Sequence, residues 1–121
     1  MANTFKVISF AAEPASAGTA YKMYTVAGST TTVVLGLILT NIHSTAVTVE
    51  VELVSNTASR GGDNDVTNTT SFLVKDVSIP AGSSLELLSG GKVVLEETDE
   101  IKIDCSVSDK VSGTLSIMEI T

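Results

Sequence analysis

Residues 46–54 and 100–108 alternate apolar and polar side chains, and no other feature constrains the fold of this chain as tightly. In the first stretch Val47, Val49, Val51 and Leu53 share one face while Thr48, Glu50 and Glu52 share the other. In the second, Ile101, Ile103, Cys105 and Val107 oppose Lys102, Asp104, Ser106 and Ser108. A period of two belongs to an extended strand with one face in water. Residues 30–40, TTTVVLGLILT, are apolar on both faces at their centre. That pattern suits a central strand covered by an opposing sheet on one side and by a neighbour, even another subunit, on the other. No stretch of eleven or more residues combines helical spacing with a cap, and Gly90 and Gly91 interrupt the helix formers of residues 85–100. Val, Ile and Thr make up about a third of the chain. These β-branched residues lose rotamer freedom in helices and pack well on a pleated sheet.

Further strands are expected at residues 5–10, 19–26, 71–79, 84–88, 92–95 and 113–120. In 71–79 the apolar phase moves from Phe72 and Val74 to Val77 and Ile79, which a bulge near Lys75 or Asp76 explains. The last strand shows a similar slip at Ile117 and Met118. Turn signals at Gly28, Gly61-Gly62, Pro80-Ala81-Gly82 and Gly90-Gly91 separate the runs. The expectation is an all-β fold, an antiparallel β-sandwich of jelly-roll or Ig-like type with about eight strands. At 121 residues the chain has the length of one domain with one core. Pro14 and the small residues of 11–20 read as an extended segment, so residues 1–20 are a candidate N-terminal arm able to lie on a neighbour.

The net charge of -7 comes from 14 acidic and 7 basic residues, and the lysines are scattered. Such a surface repels phosphate backbones, so no direct nucleic-acid partner is expected. The longest apolar run, residues 33–39, is far below the roughly 20 residues of a membrane-spanning helix. In the first twenty residues one lysine, Lys6, stands where a signal peptide has its basic region, and the apolar run 7–12 is short and holds Ser9, so the segment reads as mature protein. Cys105 is the sole cysteine, which excludes an internal disulfide.

Catalytic chemistry finds little to build on. His43 is the only histidine and lies in a turn, NIHST, with no second imidazole for a zinc site and no triad pattern. Cys105 falls on the apolar face of its strand, where a small inert core residue is expected. Asp63, Asn64 and Asp65 offer oxygen ligands for calcium, but they lack the twelve-residue frame and closing Glu of an EF-hand. A solvated hairpin loop is the alternative there. Glu96, Glu97, Asp99 and Glu100 read as a turn that keeps an edge soluble, with a cation site as the alternative. Adjacent carboxylates on one turn have no means of acquiring the two different pKa values that glycoside hydrolysis needs. Tyr21 and Tyr24, three apart, are expected on opposite faces of a strand, which denies them a shared sugar-stacking platform. No enzyme activity and no cofactor are expected.

The strings TVAGSTTTVVLGLILTN, LVKDVSIPAG, GGKVVLEETDEI and the closing SGTLSIMEIT, with the opening MANTFK, resemble a family of small virion proteins of tailed bacteriophages. The resemblance spans most of the chain and contains no catalytic signature. It implies a β-sandwich that decorates or cements the capsid, made in the host cytoplasm and resident in the virion. The partners it implies are further copies of the chain, as a homo-oligomer with a trimer foremost, and the major capsid protein or other virion proteins. Interface candidates are Phe5 and Val7 on the first strand and Val33, Leu35, Leu37 and Leu39 on the central one. The alternatives are a neck or tail component and a glycan-binding module at a tail or fibre tip.

Overall fold

The computed structural model describes residues 2–56, 69–88 and 90–121. Among the described residues nine strands follow in order: β1 (Asn3–Glu13), β2 (Tyr21–Thr25), β3 (Thr31–Asn41), β4 (Val47–Val54), β5 (Thr70–Ile79), β6 (Ser84–Leu87), β7 (Val93–Leu95), β8 (Glu100–Cys105) and β9 (Val111–Ile120). Each overlaps a run expected from the sequence, although β1 extends beyond 5–10 at both ends and β8 stops at Cys105, short of residue 108. No helix occurs among the described residues. The strands form two antiparallel sheets. The first runs β1-β9-β3-β6, with β7 also paired to β3, and the second runs β2-β8-β4-β5. The fold is an all-β sandwich.

The strictly alternating stretches become β4 and β8, neighbours in the second sheet, with Val49 opposite Cys105, Val51 opposite Ile103 and Leu53 opposite Ile101. Their apolar faces meet Leu37, Leu39, Leu115 and Ile117 of the first sheet in one buried cluster. Cys105 lies in that cluster, as its strand face predicts. Each such aliphatic side chain contributes about 1.5–3 kcal/mol by leaving water. The inward row is therefore what holds the two sheets together.

Bulges decide which residues face that core. In β5 the register slips between the pairs Val49–Val77 and Val51–Val74, leaving Lys75 and Asp76 opposite one residue, and Asp76 takes a φ of 52°. This is the bulge expected from the change of apolar phase. The slip expected at Ile117 and Met118 does not occur. β9 pairs in unbroken register there, with Ile117 buried and Met118 outward, and the extra residue is Leu35 in β3. Two adjacent apolar residues mimic a slip when both faces of a strand are apolar, which is the case for β9.

The segment expected as an arm is part of the sandwich. Residues 3–13 form β1, hydrogen-bonded along β9 with a bulge between Phe10 and Glu13. The chain then turns at Pro14 and crosses to the second sheet. There the Asp109 amide donates to the Pro14 carbonyl at 2.8 Å, the Ala17 amide to Ser108 Oγ at 2.9 Å and the Gly18 amide to Asp104 Oδ1 at 3.1 Å. Small residues suit a tight crossover as well as a flexible arm, and composition alone does not separate the two.

Candidate functional site

The two outer faces of the sandwich differ in chemistry. Directly paired residues of neighbouring strands share a face, with Cβ atoms about 4.5–5.5 Å apart. Phe5 pairs with Met118, Met118 with Val33, and Val33 with Val94, so an apolar row crosses four strands of the first sheet on its outer side. Val7 and Ile120 extend it on adjacent rows, and Leu35 sits at the bulge opposite Ser116 beside Gly36. Phe5 is 71% exposed, Val7 67% and Val94 59%. Glu86, paired with Ile38 at the β6 margin, is the one charged strand residue on this face among the described residues. The outer face of the second sheet carries Glu50, Glu52, Glu100 and Asp104 among Lys22, Lys75 and Lys102. Its ion pairs include Lys75–Glu50 at 2.9 Å and Lys22–Glu100 at 3.5 Å.

Of the interface candidates, Phe5 and Val7 are exposed on this apolar face and Val33 and Leu35 are half-buried there. Leu37 and Leu39 are a correction. Both are completely enclosed by the core, because the extra residue Leu35 switches the inward phase of β3 from Thr32 and Val34 to Leu37 and Leu39. Sequence reasoning missed Met118, Ile120 and Val94. The signal for Met118 and Val94 was present as the apolar doublets Ile117-Met118 and Val93-Val94, in which one residue serves the core and the other the outer face.

A polar network fixes the strands behind this face. Tyr24, on β2, reaches across the interior so that its hydroxyl donates to Glu119 Oε2 at 2.6 Å and lies 2.8 Å from Thr32 Oγ1. Glu119 Oε1 is 2.7 Å from Lys6 Nζ on β1. One network thus ties β2 of one sheet to β9, β3 and β1 of the other. Burial, followed by the hydrogen bond to Glu119, pushes the Tyr24 pKa up to about 12. The hydrogen bonds from Lys6 and Tyr24 hold the Glu119 carboxyl below the usual range.

Tyr24 also corrects the expected aromatic geometry. A bulge at Met23 places Tyr21 opposite Ile103 and Tyr24 opposite Ile101, both on the core side. Tyr21 packs edge-on to Phe10 with ring centroids 5.1 Å apart. The exposed rings, Phe5 and Phe72, lie on opposite outer faces.

The remaining candidates resolve individually. The His43 amide donates to Asn41 Oδ1 at 2.7 Å, inside a turn organised by Asn41, whose Nδ2 also donates to the carbonyls of Thr45 and Ile79. The acidic cluster disperses. Asp99 is buried and accepts the amides of Asn56 at 2.9 Å and Glu96 at 3.0 Å, Glu97 accepts the Ser29 amide, and Glu100 joins the charged outer face. A cleft of roughly 380 Å³ opens beside Asp99 between Leu53, Ser55, Ser71, Val94 and Glu96. Among the described residues no three His, Cys, Asp or Glu side chains group as a metal site. Asp63, Asn64 and Asp65 lie outside the described residues. No described helix is long and apolar enough to cross a membrane.

The geometry defines a β-sandwich with one charged outer face and one on which an apolar row lies among serine and threonine side chains. No family model, curated protein or solved structure matches the chain.

Proposed function

We propose that this chain is a noncatalytic structural protein of a tailed-bacteriophage virion, a capsid decoration or cement protein that associates with its own copies and stabilises the head. The observation that carries the reading is the apolar row of Phe5, Met118, Val33 and Val94 across β1, β9, β3 and β7, opposite a face built of ion pairs. Soluble domains seldom leave so contiguous an apolar row without a use for it, and such faces mark contact surfaces. The similarity of residues 71–103 and 112–121 to small phage virion proteins supplies the setting. A lattice that binds many copies needs only modest individual interfaces, because neighbouring contacts raise the effective concentration of the next. Binding to the assembled capsid alone then stabilises it by mass action. The two exposed phenylalanines lie on opposite faces, an arrangement that supplies no paired ring platform for a glycan.

Cryo-EM of intact particles carrying the protein tests the assignment. Regular density on the capsid lattice is the expected result, and density confined to the neck or tail overturns it. Heating decorated and stripped capsids tests the stabilising role, with a lower melting temperature expected for the stripped particles.

A further inference from the structure

We infer that the outer face of the first sheet, centred on its apolar row, is the contact between two copies of this chain, packed face to face about a two-fold axis. The inference deepens the proposed self-association and rests on that reading's use of this face as a contact surface.

Charge selects the occupant. The chain carries -7, so an approach through the loops or through the second sheet brings carboxylates of two copies together. The face of Phe5, Met118, Val33 and Val94 has Glu86 at its margin as its one charged strand residue among the described residues, so like-charged copies meet there without repulsion. A partner recognised through the protein's acidity would be basic and would gain nothing from an uncharged surface. An apolar partner is required, and a second copy supplies an identical surface at equal stoichiometry.

Size agrees with this occupant. Four strands spaced about 4.8 Å apart, with rises of about 3.3 Å per residue, give the whole outer face, serine and threonine positions included, a flat projection on the order of 500 Å². β1 and β3, each of 11 residues, set its length. Side chains such as Phe5 standing off the sheet raise the accessible area toward the roughly 800 Å² per partner of a stable interface. Sheets that pack face to face in this way align within about 30° and interdigitate their side chains. The Tyr24, Thr32, Glu119 and Lys6 network behind the face holds β1, β3 and β9 in place, so little ordering is required on association.

Sedimentation equilibrium of the full chain at micromolar concentration is the test, and a mass twice the 12.5 kDa of one chain is expected. Phe5→Lys and Val94→Lys, both at exposed positions, should each shift the protein to the single-chain mass with unchanged circular dichroism. Phe72→Lys, on the opposite face, should leave the pair intact. A wild-type protein at single-chain mass overturns the inference, as does a pair that survives both face substitutions. A three-chain mass overturns it too and favours the trimer implied by the phage resemblance. If particles carry no copy of the protein, the virion reading fails while a two-chain mass sensitive to Phe5→Lys still upholds the pairing.

Discussion

Gly113→Ala is the smallest change expected to damage this sandwich measurably. Gly113 lies on β9 directly opposite Phe10 of β1, and the Phe10 ring covers the space a side chain would occupy. A Cβ added there falls 2.5 Å from Phe10 Cε2, 2.6 Å from Phe10 Cζ and 3.2 Å from Leu39 Cδ2. Carbon atoms in contact prefer about 3.5–4.0 Å, so the ring must move by roughly 1 Å. Leu39 is fully buried and Phe10 packs edge-on to Tyr21, so neither neighbour yields freely. Overpacking of this kind costs about 1–3 kcal/mol, and a disturbed ring pair adds roughly 0.5–1.5 kcal/mol. The lower chain entropy of unfolded alanine offsets about 0.4–1 kcal/mol of that. The net expectation is a loss of about 1–3 kcal/mol, or roughly 3–6 °C in Tm per kcal/mol for a domain of this length. Urea unfolding and calorimetry of Gly113→Ala, Phe10→Leu and the double variant measure it. The double variant should be more stable than the sum of the single losses implies, because leucine vacates the space the methyl needs. Gly113→Ala within about 0.5 kcal/mol of wild type, or strict additivity, would refute the steric argument.

The remaining predictions concern the polar contacts. Tyr24 keeps its proton up to a pKa of about 12 when folded, against 10.0 for an unperturbed tyrosine. Its contribution is therefore complete below pH 10 and declines as the pH rises toward 12; thermal melts across that range should show the decline in wild type and a weaker one in Tyr24→Phe. Glu119 has a folded pKa held below 4.5, so its contribution is complete above that pH and lost as acid protonates it. Lys6→Met, which removes the first cause of that shift, should start acid unfolding at a higher pH, and an unchanged acid midpoint would count against the network. Asp99→Ala leaves the amides of Asn56 and Glu96 without their buried acceptor and should cost about 1–3 kcal/mol in urea unfolding, with Glu97→Ala, at an exposed turn, costing less.

Local periodicity was enough to locate the described strands, the core-facing side of β4 and β8, the burial of Cys105 and the bulge at Asp76. Each of these follows from which side of one extended segment a residue occupies, and that information lies within a few neighbours. Pairing order and the remaining bulges are decided by contacts between distant segments, so only the tertiary structure supplies them. β1 joins β9 and β4 joins β8, each across more than forty residues. The extra residue Leu35 sends Leu37 and Leu39 inward, and the bulge at Met23 turns Tyr21 and Tyr24 to the same side. Pairing also assembles the outer face. Phe5, Val33, Val94 and Met118 come from four separate strands, and the hydrogen-bonded register is what sets them in one row.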